Sequence, residues 1–508
     1  QGLANYIIKQ GAADKGVAIA YDSRNMSPEF AMEAAMTLAA NGIKAYKFES
    51  LRPTPELSFA VRELGCVAGI NITASHNPPE YNGYKVYWED GAQFTPPHDK
   101  GVTEEVLAIE DLSSVKTTDE ASAIAAGKYE VIGKEIDDKY IAQVKAQVVN
   151  QKAIDEMQDQ IRIVYTPLHG TGNIPARRVM KEIGFTHVYV VPEQELPDGN
   201  FPTVSYPNPE AKEAFELGLK LAKEKDADLV LATDPDADRL GVYVKDAKSG
   251  EYIPLTGNMS GSLLCEYVLS QKQAEGKIPA DGQVVKSIVS TNLIDAVAKA
   301  YGAELIEVLT GFKWIGKQIL KNETTGTGTY LFGMEESYGC LIGTYARDKD
   351  AISATAALCE AAAYYKQKGM TLWDAMVAMY EKYGYYKDSV KSIGLSGIEG
   401  LAKIQSIMET LRNNTPAEVG GYKVVSARDY KLDTIRDMET GAVKPTGLPA
   451  SNVLYYDLED GAWICVRPSG TEPKIKFYFG VKGTSLEDAD QKEADLGAAV
   501  MAMVDKMM

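Results

Sequence analysis

Long hydrophobic runs, an excess of positive charge and paired cysteines are all missing from this sequence of 508 residues. No apolar run approaches the roughly 20 residues that a membrane-spanning helix needs, and no signal-peptide pattern opens the chain. The formal net charge is −18, from 53 Lys and Arg against 71 Asp and Glu. This acidic balance argues against a general nucleic-acid or membrane-surface binder, although one basic pocket for a phosphate is compatible with it.

Cysteine and histidine are both scarce. The five cysteines follow no metal-ligand spacing. Because their number is odd and most lie in apolar stretches, we interpret them as buried free thiols in a reducing compartment. The four histidines are too dispersed to indicate a zinc site. The cytoplasm is therefore the expected location.

An alternation of strands and helices occurs three times along the chain. The length indicates about three or four domains, and the alternation is typical of βαβ units around a parallel or mixed sheet. The predicted strands are Val17–Tyr21, Ala45–Phe48 and 67–72, then Ile161–Tyr165, His187–Val191 and Ala227–Ala232, then Val284–Ser290, Glu304–Val308 and Thr329–Phe332. The charged, alanine-rich residues 106–155 are predicted to be mostly helical.

The last quarter of the chain has a different pattern. Two apolar strands, Ser451–Asp457 and Trp463–Arg467, flank the turn Glu459–Gly461, which indicates a hairpin. A further strand over Lys474–Phe479 and a closing helix over Leu486–Lys506 predict a smaller α+β domain. The expected domain bounds are 1–152, 153–270, 271–385 and 386–508.

Ser75 follows the predicted strand 67–72, where open α/β sheets bind their ligands. A lone serine is more often part of a turn or a helix cap. A second loop favours a catalytic role for Ser75. In it Asp234, Asp236 and Asp238 alternate directly after another buried strand, and their carboxylates suit a hard divalent cation. A solvated turn would require neither a position directly after a buried strand nor the arginine, Arg239, that follows the aspartates. Together the two loops predict phosphoryl transfer.

Three further residues close to these loops are candidates for chemistry. Lys85 is near enough in sequence to share the Ser75 loop and to act as a proton shuttle or phosphate partner, although a lone lysine is usually solvated. His76 and His169 can hydrogen-bond phosphate oxygens or can simply pack their loops. The sequence favours neither reading for the two histidines.

Two later loops carry groups that suit a sugar phosphate. Glu335 and Ser337 supply an acceptor and a donor–acceptor for adjacent sugar hydroxyls. In the other loop a guanidinium, two hydroxyls and a glycine form an anion-binding nest for a phosphate that is not transferred. Its residues are Arg467, Ser469, Gly470 and Thr471. A plain turn over 468–470 is the alternative, but it would not require the flanking arginine and hydroxyls.

These four loops occur in the order found in the α-D-phosphohexomutases, which the chain resembles across nearly its whole length. The matching stretches are Thr73–Pro78, Asp234–Arg239, Gly333–Gly339 and Arg467–Lys474. The resemblance implies three similar mixed-sheet α/β domains and a smaller carboxyl-terminal α+β domain around a central cleft. The family usually begins with a Gly-Thr-(Ser/Gly)-Gly-(Leu/Ile)-Arg-Gly stretch that has no match here, so we expect an amino-terminal segment to be absent.

The resemblance also implies roles for individual residues. Ser75 would carry the phosphoryl group and join the three aspartates around one Mg²⁺. Lys349 resembles the general acid/base of the glucose-type members, and Thr310 and Gly311 resemble a loop that faces the sugar. The expected catalytic residues are Ser75, Lys85, Lys349, His76 and Arg239; the expected substrate contacts are Arg24, His169, Thr310, Gly311, Glu335, Ser337, Arg467, Ser469, Gly470 and Thr471; the expected metal ligands are Ser75, Asp234, Asp236 and Asp238.

The activity implied by the resemblance is the interconversion of glucose 1-phosphate and glucose 6-phosphate through glucose 1,6-bisphosphate. The form Glu-Glu-Ser-Tyr-Gly at 335–339 is that of glucose-type members. Phosphomannomutase and phosphopentomutase activities are alternatives, and a metal-dependent phosphohydrolase or a non-catalytic sugar-phosphate-binding protein are more remote ones. The expected partners are small sugar phosphates, with neither nucleic acid nor membrane, and the chain is expected to be a monomer or dimer.

Overall fold

The computed structural model describes residues 1–395, 397–470 and 473–507. The chain folds into two compact units. The first comprises Gln1–Ser287, Ala298–Ile306 and Gly311–Met376, and the second comprises Ile288–Val297, Glu307–Thr310 and Val377–Met508. No helix among the described residues has both the length and the apolar composition needed to cross a membrane.

Helices and strands alternate through the first unit, whereas strands dominate the second. The helices are α1 Gly2–Lys9, α2 Ser27–Ala40, α3 Thr54–Glu63, α4 His98–Leu107, α5 Glu120–Ala125, α6 Lys134–Lys145, α7 Gln151–Met157, α8 Asn173–Ile183, α9 Glu216–Lys225, α10 Gly257–Ala274, α11 Leu293–Ala300, α12 Phe312–Thr325, α13 Ala351–Gln367, α14 Leu372–Tyr383, α15 Gly397–Asn413 and α16 Leu486–Asp505. The strands are β1 Val17–Tyr21, β2 Ala45–Phe48, β3 Ala68–Ile72, β4 Tyr84–Trp88, β5 Tyr129–Ile132, β6 Arg162–Thr166, β7 His187–Val190, β8 Leu229–Thr233, β9 Leu240–Lys245, β10 Tyr252–Leu255, β11 Gly282–Ser287, β12 Glu304–Val308, β13 Thr329–Glu335, β14 Gly339–Leu341, β15 Tyr385–Gly394, β16 Glu418–Val419, β17 Tyr422–Asp429, β18 Thr434–Asp437, β19 Val443–Lys444, β20 Leu454–Leu458, β21 Trp463–Pro468 and β22 Lys474–Gly483.

The first sheet has the strand order β4-β3-β1-β2-β5, and all its pairs are parallel except β3 with β4. Every residue of β1 and β3 is buried, as expected for parallel strands covered by helices. In this pairing Tyr21 lies opposite Ile72. The residues that follow the two strands, Asp22–Arg24 and Thr73–Ser75, therefore lie at the same edge of the sheet.

The second sheet repeats this plan in the order β10-β9-β8-β6-β7, with β6, β7 and β8 parallel. The fully buried strand β8 ends at Thr233, directly before the aspartate loop. Its neighbour β6 ends at Thr166 and leads into the loop that contains His169. The carboxyl ends of these two parallel strands are adjacent, so the two loops meet.

The third sheet has the order β12-β11-β13-β14, and its last pair is antiparallel. Strand β13 extends to Glu335, three residues beyond the predicted end at Phe332. Glu335 is thus the last residue of a strand and not a loop residue, because the hairpin to β14 continues the ladder to the pair Glu335–Gly339.

The second unit contains an antiparallel sheet of order β15-β22-β21-β20-β17-β18-β19, with β16 paired to β17. Its core combines inward-facing strand residues with one face of the helices α15 and α16, including Ile464, Phe477, Ile407 and Leu496. The predicted hairpin at Glu459–Gly461 is confirmed by the antiparallel pair β20–β21. The expected fold class, three mixed-sheet α/β domains and a carboxyl-terminal domain with an antiparallel sheet, is confirmed.

One prediction about secondary structure is wrong, and one strand was not predicted. Residues 106–155 are mostly helical as expected, but Tyr129–Ile132 within them forms the edge strand β5. Lys85 does not lie in the Ser75 loop but on β4, opposite Asn71. Both strands are short and carry charged residues on an edge of the sheet, so they lack the apolar signal of buried parallel strands.

Candidate active site

Ser75 lies in a tightly bonded loop after β3. Its backbone has φ 51°, in the left-handed region, and its N–H donates to Thr73 Oγ1 at 2.9 Å. The Ser75 hydroxyl donates to Asp234 Oδ2 at 2.9 Å, and His76 Nδ1 lies 3.3 Å from Ser75 Oγ. The two loops singled out in the sequence, 159 residues apart, therefore meet at Ser75.

Arg24 stabilises the backbone of the Ser75 loop. Its guanidinium is completely buried and donates to four backbone carbonyls, those of Ser75, Asn77, Pro78 and Tyr81. Asp22 forms an ion pair with Arg24 Nε at 3.3 Å. In this arrangement Arg24 fixes the shape of the Ser75 loop, and its contact with substrate stays a prediction.

Asp234, Asp236 and Asp238 form a buried group that can hold a metal ion. Their side chains are 0%, 0% and 1% exposed, and one carboxylate oxygen from each lies within 4.8 Å of the others. Among the described residues, Asp236 Oδ1 and Asp238 Oδ1 have no hydrogen-bond partner. Buried carboxylate oxygens are costly without a partner. A hard cation bound by these oxygens would remove that cost, so the donor set fits Mg²⁺.

Lys85 lies beside the aspartate group. Its ammonium is 2.7 Å from Asp236 Oδ2 and 3.5 Å from Asp238 Oδ2. Burial disfavours ionisation of Asp236, but Lys85 and the hydroxyl of Thr54 outweigh it and hold the pKa of Asp236 well below its usual range. Burial and repulsion from Asp236 and Asp238 raise the pKa of Asp234. The three neighbouring carboxylates therefore repel one another at Asp234, and a bound cation would relieve that repulsion.

Lys349, which follows β14 of the third sheet, lies beside the same aspartate group. Its ammonium lies 3.4 Å from Asp238 Oδ2 and 3.2 Å from Asp348 Oδ1. Asp348 is buried and also accepts hydrogen bonds from Tyr87 Oη at 2.9 Å and Gln93 Nε2 at 3.1 Å. Burial opposes the charge on Lys349, but Asp238 and Asp348 outweigh it and raise the pKa of the ammonium. Lys349 is thus held in the protonated form.

Arg239 and His76 complete the surroundings of Ser75. The backbone N–H of Arg239 donates to Asp234 Oδ1 at 3.1 Å, and its guanidinium pairs with Glu210 at 3.0 Å. The buried Arg239 Nε has no hydrogen-bond partner within the described part of the chain. Burial, with repulsion from Arg239, lowers the pKa of His76 to about 3. His76 is therefore neutral near pH 7.

The loop that contains His169 lies against the aspartate loop, since the Thr171 N–H donates to the Pro235 carbonyl at 2.8 Å. His169 Nδ1 lies 3.1 Å from the Leu196 carbonyl, and its Nε2 lies 2.9 Å from Thr203 Oγ1. The neighbouring Gly170 has no room for a side chain, because a Cβ atom there would lie 2.4 Å from Pro235 Cα. Both ring nitrogens are engaged within the protein, so a bond from His169 to phosphate stays a prediction.

The predicted sugar loop is joined to the aspartate loop. Glu335 is buried, and its Oε1 accepts the Gly311 N–H at 2.6 Å. The Tyr338 carbonyl accepts the N–H of Leu240, at the start of β9, at 2.9 Å. Ser337 is half-buried, between these anchored positions. These two hydrogen bonds, both within the first unit, therefore hold Glu335 in a fixed orientation.

The predicted phosphate nest lies in the second unit. Arg467 on β21 is opposite Lys476 on β22, so the two cations are on the same face of the sheet. The Ser469 N–H donates to the Lys474 carbonyl at 2.8 Å, and Gly470 is exposed. Thr471 lies outside the described residues. Thr310 also belongs to this unit, and its buried hydroxyl has no hydrogen-bond partner among the residues described.

Sequence reasoning did not find Thr54, Asp348 or Tyr87 as members of this site. In the sequence, Thr54 before Pro55 indicates the start of a helix and nothing more, and it is the first residue of α3. Asp348 was one of several charges in the run 347–350. No sequence signal links Thr54 with Asp236 or Tyr87 with Asp348, because the bonded residues are 182 and 261 positions apart.

Comparisons with known proteins identify one family over nearly the whole chain. The phosphoglucomutase/phosphomannomutase family models match alpha/beta/alpha domain I at residues 1–113, domain II at 138–250, domain III at 256–383 and the C-terminal domain at 409–495. The phosphoglucomutase of Staphylococcus saprophyticus is 36% identical over 491 residues, which are 97% of this chain and 87% of that protein. A probable phosphomannomutase of Haemophilus influenzae is 37% identical over 505 residues, 98% of this chain and 94% of that protein.

Among solved structures, the open form of Paramecium pp63/parafusin, a phosphoglucomutase, has a similar fold. Its TM-score is 0.71 at 18% identity, and the match covers all of this chain and 90% of that one. The family expected from the four loops is confirmed. The chain belongs to the phosphoglucomutase/phosphomannomutase family of the α-D-phosphohexomutase superfamily, whose members are isomerases.

Proposed function

We propose that this protein is a phosphoglucomutase that interconverts glucose 1-phosphate and glucose 6-phosphate, with Ser75 as the phosphoryl carrier. The observation that carries the proposal is the bond from the Ser75 hydroxyl to Asp234, inside a buried group of three aspartates flanked by Lys85 and Lys349. The staphylococcal relative, at 36% identity, supports the choice of glucose.

The reaction proceeds through two phosphoryl transfers. Phospho-Ser75 gives its phosphoryl group to the free sugar hydroxyl, which breaks the bond between phosphorus and the serine oxygen. The sugar hydroxyl loses its proton, the serine oxygen gains one, and glucose 1,6-bisphosphate forms. The bisphosphate turns over in the site, and its other phosphate returns to Ser75. We assign one Mg²⁺ to Asp234, Asp236, Asp238 and Ser75. When bound, Mg²⁺ would neutralise charge on the phosphate oxygens, the main requirement of phosphoryl transfer.

Protons are supplied and accepted by residues already in place. When the phosphoryl group returns to Ser75, the sugar oxygen that leaves must take up a proton, and the ammonium of Lys349 is the donor we assign. The serine hydroxyl must lose its proton in the same step. Asp234, which already accepts a hydrogen bond from the Ser75 hydroxyl at 2.9 Å, is the acceptor that we assign, and neutral His76 lies 3.3 Å from the same hydroxyl and helps to position it. Lys85 and Arg239 remain charged and stabilise the transferring phosphate.

The remaining predicted residues bind the substrate. Glu335 and Ser337 grip adjacent sugar hydroxyls, and the Arg467 loop holds the phosphate that is not transferred. Mannose 1-phosphate is the second candidate substrate, because the Haemophilus relative is described as a phosphomannomutase at similar identity. We also propose a cytoplasmic location, consistent with five free cysteines that are all buried, and a monomer or dimer.

A coupled assay tests this function. The full chain would be supplied with Mg²⁺ and a trace of glucose 1,6-bisphosphate, and then with glucose 1-phosphate, mannose 1-phosphate or ribose 1-phosphate in turn. We expect the highest kcat/KM with glucose 1-phosphate and no release of inorganic phosphate. Stoichiometric phosphate release would instead identify a phosphohydrolase, and tight binding without turnover would identify a binding protein.

A further inference from the structure

Two buried residues outside the expected catalytic set connect to the aspartate group. Thr54, the first residue of α3, donates its hydroxyl to Asp236 Oδ2 at 2.6 Å. Asn71, on β3, donates its Nδ2 to the hydroxyl oxygen of Thr54 at 2.6 Å. All three side chains are 0% exposed. These contacts form a short chain of hydrogen bonds from the first sheet to one carboxylate oxygen.

The hydrogen bonds in this series run from Asn71 through Thr54 to Asp236. A threonine hydroxyl has a single proton to donate. Because the Asn71 amide donates to Thr54 Oγ1, the threonine proton is directed to Asp236 Oδ2. With the Asn71 amide turned round, its oxygen would compete with Asp236 for that proton. Asn71 therefore reinforces the direction that the carboxylate, which can only accept, already requires of Thr54.

The same oxygen of Asp236 also receives a second hydrogen bond. Lys85, which lies opposite Asn71 in the β3–β4 pair, donates to Asp236 Oδ2 at 2.7 Å. The backbone is fixed as well, since the Thr54 N–H donates to the Asp236 carbonyl at 2.9 Å. The other carboxylate oxygen, Oδ1, is buried and has no hydrogen-bond partner among the described residues. The carboxylate thus has one saturated oxygen and one available oxygen.

We propose that Thr54 and Asn71 are positioning residues for the metal site, which hold Asp236 so that Oδ1 is presented to the divalent cation. The proposal rests on the metal site of the proposed function. Partners that orient a liganding side chain typically change metal affinity by about 10- to 100-fold when removed. The hydroxyl of Thr54 belongs to this class of partner, although it touches neither metal nor substrate.

The test measures binding of Mn²⁺ to the full chain after treatment with chelator, from the electron paramagnetic resonance signal of the free ion. Thr54→Val keeps the shape of the side chain and removes the hydroxyl, and we expect its Kd for Mn²⁺ to rise about 10- to 100-fold. Thr54→Ser restores the hydroxyl and should bring the Kd back to within about 3-fold of the wild type. Asn71→Ala removes the group that reinforces the direction of the threonine proton and should weaken binding by a smaller factor.

A matched control separates positioning from general packing. Thr355→Val makes the same change at a fully buried threonine of α13 whose hydroxyl has no hydrogen-bond partner among the described residues. It should bind Mn²⁺ like the wild type. A wild-type Kd in Thr54→Val, with or without a lower melting temperature, would overturn the inference and leave the proposed function intact.

The remaining outcomes are also decisive. If the wild-type chain binds no Mn²⁺, the metal site itself fails, and the inference fails with it. If Thr54→Val does not fold, Asn71→Ala carries the test. A wild-type Kd in that variant would refute a positioning role for the hydrogen bonds that run from Asn71 through Thr54 to Asp236.

Discussion

The two regions that we propose bind phosphate are built in different ways. Around Ser75, charged groups on the loops after buried parallel strands are fixed by several bonds each, and the three aspartates are almost completely buried. Around Arg467, the residues lie near the end of an antiparallel pair, half-buried or exposed. A site that transfers a phosphoryl group needs its charges fixed in advance. A site that only anchors a phosphate needs a few donors that stay accessible.

The largest expected effect comes from removing the phosphoryl carrier. Ser75→Ala should lower mutase activity by about three orders of magnitude or more, because no other group can form the covalent intermediate. Within the described part of the chain the hydroxyl has hydrogen bonds to Asp234 and His76 alone, so the melting temperature should stay close to that of the wild type. The coupled assay and a thermal melt check both points. Ser122→Ala, at an exposed serine of α5, is the control and should be fully active, and substantial turnover by Ser75→Ala would remove Ser75 from the mechanism.

The next effect concerns the charge at the aspartate group. Asp236→Asn keeps the shape of the side chain but removes a negative ligand and one partner of Lys85, so the rate should fall about 100-fold and half-saturation should require more Mg²⁺. Activity measured over a series of Mg²⁺ concentrations checks this expectation. Asp228→Asn, just before the start of β8, breaks an ion pair with Lys366 and should leave the Mg²⁺ dependence unchanged. Full activity of the wild type in excess chelator would contradict the metal assignment.

These two regions also differ in how well the sequence predicts them. The strands before Ser75 and Asp234 are short apolar runs, and the placement of loops at the carboxyl ends of parallel strands follows from the fold class. This places each loop at the end of its own sheet, and the resemblance to the family then predicts that Ser75 and the aspartates share one metal site. For Arg467 the sequence predicts the hairpin and the residue types, but Thr471 lies outside the described residues and the role of the loop stays a prediction.

Residues that depend on packing between sheets were not predictable. Arg24 follows a strand and carries a charge, which favours a role in binding, yet its guanidinium is occupied by four carbonyls of the Ser75 loop. Thr54 and Tyr87 have ordinary surroundings in the sequence, and their contacts join elements about 180 residues or more apart. Periodicity and motif spacing report local structure and contain no information about such contacts.

The anchoring region should show a smaller effect than the transfer region. A charge-assisted bond to phosphate contributes about 1.5–3 kcal/mol, so Arg467→Ala should lower kcat/KM by about one or two orders of magnitude. The loss should be similar for glucose 1-phosphate and glucose 6-phosphate, because each must present a phosphate to the same anchor. Arg436→Ala, at an exposed arginine of β18 in the same sheet, is the control and should behave as the wild type. Unchanged efficiency in both directions of the Arg467 variant would exclude the mechanism with two phosphate sites.

The smallest expected effect is a pH dependence that burial at the Ser75 region creates. Burial and repulsion from Arg239 lower the pKa of His76 from 6.5 to about 3 in the folded protein. Between these values the unfolded chain binds a proton at His76 that the folded chain does not. The contribution of His76 to the free energy of unfolding is therefore complete above pH 6.5 and declines as the pH falls toward 3. Urea unfolding at pH 7.5 and pH 5.0 measures this decline.

His76→Asn removes the titrating group, so its stability should fall less between pH 7.5 and pH 5.0 than that of the wild type. Asp22, whose pKa burial raises to about 6, acts in the opposite direction, because its folded form binds the extra proton. Asp22 is present in both proteins, so its effect cancels when the two pH dependences are subtracted. A residual difference then reports His76 alone. Identical pH dependences would mean that His76 titrates in the folded protein as it does in the unfolded chain, and the burial that distinguishes the Ser75 region would not extend to this residue.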